Sequence, residues 1–196
     1  MYGVKTSYKR GVDSLADSQI TKRVLAEAMK SLMAQVPLAK ISVGDIAERC
    51  GVNRQTFYYH FKDKYDLVNW IFYTDTIQYI GVLTHKDTWA GALEQLCLYM
   101  QANKRFYMNA LSTTGQNSFP EYLTQYFHDL ASVLYSGPLT RGIINKRQHA
   151  IISDYYTFAM VGIITKWAKE GMKDPPGEFI SCIEEFTLPA FIDDEK

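Results

Sequence analysis

Ser42-Val-Gly-Asp-Ile-Ala-Glu-Arg-Cys-Gly-Val-Asn-Arg-Gln-Thr-Phe-Tyr-Tyr-His-Phe-Lys-Asp63 contains two short helical patterns joined through a glycine. Ser42 is an N-cap candidate with Asp45 three residues on, a shortened capping box that also puts negative charge in the first turn. Ile46 and Ala47 fall inside the first helix, and the small Ala47 suits a close crossing by a second helix. Gly51 can take φ > 0 in the turn, while Val52 and Phe57 fill the angle between the helices. The second helix is predicted to begin at Asn53, another good N-cap. At about 100° per residue, Phe57 and Phe61 lie about 40° apart and define a buried stripe. Opposite that stripe lie Gln55, Thr56 and Tyr59. Arg54 stands at the N-terminal end, Tyr58 and His60 flank the exposed stripe, and Lys62 and Lys64 follow. Three consecutive residues such as Tyr58, Tyr59 and His60 cannot all face inward.

A polar, basic and aromatic second helix after a tight turn is the pattern of a helix-turn-helix, whose second helix enters a DNA major groove. Arg54 and Gln55 are expected at base edges, Arg favouring guanine and Gln adenine, with Thr56 at a thymine methyl. Thr21, Ser42, Tyr58, Tyr59, Lys62, Lys64 and the amide of Val43 are expected to hold phosphates, helped by the N-terminal end of the first motif helix.

Together with a leading helix from about Gln19 to Gln35, Ile41-Ser-Val-Gly-Asp-Ile-Ala47, Gly51-Val-Asn-Arg-Gln-Thr-Phe-Tyr-Tyr-His-Phe-Lys-Asp-Lys64 and Leu67, this segment resembles the DNA-binding domain of the TetR/AcrR family of bacterial transcriptional regulators. The resemblance is firm over about 19–72 and looser beyond. It implies that Thr56, Tyr58, His60 and Lys64 touch DNA. It further implies that the second domain binds an effector and that the last two helices pair with those of a partner. The dimer candidates are therefore 151–167 and 179–191, with Ile151, Trp167, Phe179, Ile183 and Phe186 as their apolar positions. Phe106-Tyr-Met-Asn-Ala-Leu111, Phe119-Pro-Glu-Tyr-Leu123 and Trp167-Ala-Lys-Glu-Gly-Met172 look similar to the branch that contains a dihydroxyacetone kinase regulator, whose members can work through a protein co-activator. The expected function is thus a repressor relieved by a small molecule. Its alternatives are an activator controlled by a protein co-activator, or a helical interaction protein that no longer reads DNA. Arg54, Gln55 and Thr56 speak against the last, since a relic would lose its basic and hydroxyl groups together.

Composition sets the limits. A chain of 196 residues, 47% of them hydrophobic, can bury a good core as one domain or two small ones. Its formal net charge is zero, but residues 1–62 hold 10 Lys and Arg against 5 Asp and Glu, and residues 63–196 hold 11 against 16. A basic head on an acidic body orients the molecule on a polyanion. Cys50, Cys97 and Cys182 are odd in number and lack ligand spacing, so neither a disulfide framework nor a zinc site is expected, and buried structural thiols in a reducing cytoplasm are. Residues 1–17 contain Lys5, Lys9, Arg10, Asp13 and Asp17 without the apolar core of a signal peptide, and the apolar stretch 155–165 is too short to span a bilayer.

The periodicity predicts an all-α chain. A loose polar arm is expected over 1–17, the helix-turn-helix domain over 18–64, and a helical effector-binding and dimerisation domain over 65–196. Asp63 and Asp66 read as an N-cap with its N3 partner, opening a long helix toward Gly81 that connects the domains and would tilt on effector binding. Further helices are expected over about 88–103, 104–113, 118–135, 146–171 and 176–192, with Ser136-Gly-Pro138 as a turn. Within the second domain Phe106, Tyr107, Tyr122, Tyr126, Tyr155 and Phe158 are the candidates to line a cavity for a small apolar or aromatic effector. Catalysis is not expected: Glu184 and Glu185 diverge on a helix, as do His128 and Asp129, and no phosphate loop, His-Glu-x-x-His or nucleophile elbow is present. The expected partners are a palindromic duplex and a second copy of the chain. No cofactor, metal or membrane is expected.

Overall fold

Helices follow one another throughout the computed structural model, which describes the backbone of residues 4–83 and 89–187 and the side chains of residues 18–77 and 89–185. In order they are α1 (Val4–Met33), a 3-10 turn (Leu38–Lys40), α2 (Val43–Cys50), α3 (Arg54–His60), α4 (Lys64–Leu83), α5 (Trp89–Ala102), α6 (Lys104–Ser112), α7 (Phe119–Leu134), α8 (Ser136–Thr140), α9 (Lys146–Lys169) and α10 (Pro176–Thr187). Among the described residues there is no strand, and no helix is long and apolar enough to cross a membrane. The chain divides into two compact units, 1–71 and 72–196.

Two elements differ from the sequence expectation. The backbone is helical from Val4, where a loose arm over 1–17 is expected, so the polar segment extends α1. Ser136-Gly-Pro138 opens the short α8 in place of a plain turn. Pro138 fits there because the amides of a helix's first turn have no intrahelical acceptor to lose.

In the first unit the short helices are fixed by their ends. Ser42 Oγ accepts from the Asp45 N–H at 3.2 Å while Asp45 Oδ2 accepts from the Ser42 N–H at 2.7 Å, completing the capping box. Gly51 stops α2 at φ 68°, the left-handed region that disfavours residues with a Cβ, and its N–H returns to the last turn. Asn53 Oδ1 accepts from the Thr56 N–H at 2.8 Å and starts α3. Asp63 Oδ1 accepts from the Tyr65 and Asp66 N–H groups, and Asp66 reaches back to the Lys62 N–H at 2.9 Å.

Leu25, Met29, Leu38, Ile46, Phe57, Leu67 and Ile71 are wholly buried and form the core of this unit. Because Leu67, Val68 and Ile71 belong to that core, the compact unit runs past Lys64, where the sequence expectation ends it, into the second turn of α4. Two polar contacts tie α1 to the motif: Arg49 donates to Ser31 Oγ at 2.6 Å, and the Lys22 ammonium lies 5.7 Å from the Phe61 ring centre and 5.9 Å from that of Trp70.

The second unit is built on α7 packed along α9, with α5 against α10. At its centre Phe72 meets Tyr107, Phe119, Tyr122 and Tyr126 edge-to-face, at centroid separations of 6.3, 5.2, 6.1 and 5.4 Å. Asn145 and Gln148 form a second capping box at the start of α9. Cys97 is buried and its thiol pKa is pushed up to about 12 by burial, in keeping with a structural role; Cys182 departs from that expectation and is exposed.

Two outcomes follow. Asn53→Ala should lower stability by about 1 kcal/mol in urea denaturation, since the Thr56 amide loses its acceptor. Hydrogen bonds from the Ser42 amide and hydroxyl hold the Asp45 carboxyl below its ordinary value. Its stabilisation is therefore fully present above the unfolded-state pKa and is lost as pH falls through the lower folded one. Asp45→Asn should flatten the loss of stability below about pH 4 in an acid denaturation series.

Candidate nucleic-acid interface

α3 presents Gln55, Tyr58 and Tyr59 on one side by the i, i+3, i+4 rule, with Lys62 just beyond its end. All four are exposed, Tyr58 at 57% and Tyr59 at 80%, well above what a phenol ring in a supporting core would show. The rings are braced from behind. Tyr58 stands edge-on to buried Phe57 at 5.6 Å, and Tyr59 stands edge-on to His60 at 4.9 Å. Burial, and then the charge of Lys22, lowers the His60 pKa, so its imidazole is neutral at neutral pH and offers one donor and one acceptor.

Arg54 is exposed at the start of α3, but its guanidinium lies back against the first turn of α2. A Cβ built on Gly44 would come within 2.5 Å of Arg54 Nη2, and the Arg54 charge is among the influences lowering the Asp45 pKa. Thr56 is half-buried, and its hydroxyl donates to Asn53 Oδ1 at 3.0 Å. Thr21 is half-buried on α1; Ser42 and Val43 stand at the start of α2, where the Ser42 hydroxyl is engaged by the Asp45 amide.

Lys64 lies in surroundings that the sequence did not suggest. Its ammonium donates to the carbonyls of Leu38 at 2.7 Å, Ala39 at 3.1 Å and Ile41 at 2.8 Å. An ammonium has three N–H donors, and here all three are engaged by backbone carbonyls. Sequence spacing placed Lys64 beyond the recognition helix but could not show that the preceding turn folds back over it.

The effector candidates divide. Tyr107, Tyr122 and Tyr126 surround Phe72, and Phe106 is edge-on to Tyr107 at 5.0 Å. The Tyr107 and Tyr126 hydroxyls are buried without a hydrogen-bond partner among the described residues, while the neighbouring Tyr99 hydroxyl donates to Asp75 at 2.7 Å. Burial raises the pKa of Tyr107, Tyr122 and Tyr126. Phe72, Tyr99 and Asp75 were missed by the sequence reading. The repeat Leu67, Val68, Ile71, Phe72 along α4 was the available signal for Phe72.

Tyr155 and Phe158 do not join this cluster. They are 67% and 66% exposed, and with Ile151, 57% exposed, they make an outward stripe at i, i+4, i+7 on α9. Between α9 and α10 runs an apolar groove of about 390 Å³ lined by Tyr155, Tyr156, Met160, Phe179, Cys182 and Ile183 among others. Trp167, expected at a dimer interface, is turned inward: it is 3% exposed, packs on Phe179 at 5.4 Å and donates its indole N–H to the Asp174 carbonyl at 3.0 Å. The Phe186 side chain lies outside the described residues.

Gly44→Ala tests the resting place of Arg54. The added methyl meets only the end of a flexible side chain, and alanine favours the helix by up to about 1 kcal/mol. The melting temperature should therefore hold or rise. Displacing Arg54 should change duplex affinity, measured by titration beside Arg54→Ala.

Each unit matches a family of known proteins. The bacterial regulatory proteins of the tetR family match residues 25–71, and a transcriptional regulator C-terminal region matches residues 87–188. The HTH-type dhaKLM operon transcriptional activator DhaS of Lactococcus lactis subsp. lactis (strain IL1403) is 30% identical over 122 residues, 62% of this chain. The match spans 65% of that relative's length. Among solved structures, dihydroxyacetone kinase operon activator DhaS superposes with a TM-score of 0.62 at 23% identity, covering 87% of this chain and 96% of the other. Native NalD, the secondary repressor of the MexAB-OprM multidrug efflux pump in Pseudomonas aeruginosa, gives 0.62 at 18% identity, covering 92% and 100%. At these identities the solved structures establish the fold, and the two profile matches establish the kinship. The chain belongs to the tetR family of bacterial regulatory proteins.

Proposed function

We propose that the protein is a homodimeric transcriptional regulator that reads a palindromic duplex by placing α3 of each protomer in the major groove. The observation that carries this reading is the exposed stripe Gln55, Tyr58, Tyr59 and Lys62, with Arg54 at its head, on a helix fixed at both ends. Arg54 and Gln55 read base edges; Thr21, the Val43 amide, Tyr58, Tyr59 and Lys62 hold the backbone, and neutral His60 adds a hydrogen bond, while the Ser42 amide and hydroxyl stay on the Asp45 carboxyl. Thr56, with its hydroxyl donated to Asn53, offers its methyl group to a thymine.

Ile151, Tyr155 and Phe158 of α9, with Phe179 and Ile183 of α10, form the face that a second copy covers. An apolar stripe of this width on a surface helix is stabilised by removal from water. The Phe72 cluster is the proposed effector site. Two buried phenols without a hydrogen-bond partner among the described residues are costly to leave unsatisfied, and a small aromatic or apolar molecule with one or two polar atoms satisfies both. A ligand that binds better to the arrangement unable to hold DNA acts as an inducer of a repressor. The second reading, an activator of the same fold working with a protein co-activator, is favoured by one observation, the 30% identity to the activator DhaS.

Selection from a random duplex pool tests the main reading. It should return inverted half-sites about one helical turn apart. With roughly 6 to 10 phosphate contacts, affinity should fall by about three to five decades between 50 and 200 mM salt. Failure to enrich any duplex, or binding insensitive to salt, argues against it. Phe158→Glu should convert the dimer to monomers in sedimentation velocity with its helix content retained; a dimer surviving that change would place the interface elsewhere.

A further inference from the structure

Lys64 is the first residue of α4, and the segment it grips is the one that launches α2. The 3-10 turn Leu38–Lys40 ends with carbonyls directed out of its C-terminal end, and Ile41 adds another before the chain enters the Ser42 cap. Carbonyls of Leu38, Ala39 and Ile41 converge on one ammonium at 2.7 to 3.1 Å, which no neutral side chain could satisfy with three donors at once. Two capping carboxylates face the same charge: Asp45 in the first turn of α2 and Asp63 at the start of α4 both act on Lys64 electrostatically. The ammonium also lies over Tyr65, 5.2 Å from the ring centre.

We propose that Lys64 is a positioning residue for DNA reading, a strut that fixes the entry of α2 against the first turn of α4, and that it makes no phosphate contact. The reasoning runs through chain connectivity. Ile41 is one residue from the Ser42 cap, α2 is joined to α3 by the Gly51 turn, and Arg54 rests on Gly44 of α2. Releasing the three carbonyls frees the start of α2 to shift, and the recognition helix shifts with it. A charged donor is suited to this task because a charge-assisted hydrogen bond is shorter and stronger than a neutral one. Arginine would not serve in its place: a planar guanidinium fork does not match three carbonyls converging on a point.

This proposal rests on the reading of α3 as a DNA-reading helix, and its test keeps the two apart. Duplex affinity is measured as a function of salt for the full-length wild type, Lys64→Gln, Lys64→Arg and, as a phosphate-contact control, Lys62→Gln. A strut predicts that Lys64→Gln loses roughly tenfold or more in affinity, the scale of charge-assisted bonds left unmade, with the slope against log salt unchanged. Lys64→Arg should fail to restore that affinity, and amide hydrogen exchange over residues 38–47 should accelerate in both Lys64 variants alone. Lys62→Gln should reduce the slope by about 0.9. A slope reduced by that amount in Lys64→Gln, with full rescue by Lys64→Arg, would overturn the proposal and restore Lys64 to the phosphates.

A measurement on the unaltered protein covers the case in which the variants do not fold. In the wild type bound to duplex, the Lys64 ammonium should show hydrogen-bond couplings to the carbonyl carbons of Leu38, Ala39 and Ile41 by NMR. Coupling to phosphorus instead refutes the strut. If the wild type binds no duplex at all, the DNA reading fails, while the exchange data and the carbonyl couplings in the free protein still decide whether the strut exists.

Discussion

Helices of eight and seven residues cannot stand alone in water, because nucleation consumes most of what so few hydrogen bonds return. Everything the first unit offers to a partner depends on how α2 and α3 escape that limit. They do so at their ends. Ser42, Gly51 and Asn53 satisfy amides and carbonyls that so short a helix leaves largely without internal partners, and the Asp63 and Asp66 pair caps the start of α4 just beyond. Phe57 and Ile46, wholly buried, then fix the two helices against α1. With the backbone settled from within, the outward side chains of α3 are released from structural duty.

The same distinction explains how much was legible in the sequence. Caps and turns are local, since Ser42 and Asp45 or Asn53 and Thr56 lie three residues apart, and the helical period shows in any window of four. The motif and the helix boundaries from α2 to α7 therefore stood out, and with them the exposure of Gln55 and Tyr59, while Thr56, expected beside them, is half-buried against its own N-cap. The carbonyl contacts of Lys64 were not legible because its partners are 23 to 26 residues away, at Ile41, Ala39 and Leu38. Trp167 was misplaced for a related reason. An apolar residue near the end of α9 faces outward or inward according to where the chain returns, and here Asp174 and Phe179 return over it. Tyr155 and Phe158 were drawn to the effector cluster by composition alone, which cannot say which side of α9 faces the neighbouring helix.

In the second unit two kinds of unfinished chemistry lie apart. Around Phe72 the rings are buried and the deficit is polar, in the hydroxyls of Tyr107 and Tyr126. On α9 the deficit is apolar, in the exposed side chains of Ile151, Tyr155 and Phe158. These ask for different occupants. A small molecule bearing a donor or acceptor answers the first, and a large surface that excludes water answers the second. Assigning effector and second copy in this way follows from what each site lacks, and it leaves Trp167 to the core.

Arg54 gives the clearest case of a side chain held ready but not committed. Gly44 leaves bare backbone where any larger residue would stand within 2.5 Å of the guanidinium, and Asp45 contributes a charge that is exposed and engaged in its own cap. A contact of that kind is screened by water and salt, so it restricts Arg54 without binding it strongly. In the proposed reading of a base edge by Arg54, less rotamer freedom then remains to be lost, while little attraction has to be broken. Lys64, by contrast, is committed in all three of its hydrogen bonds. The two cations flank the same helix end and divide the work, one fixing the frame and the other free to leave it.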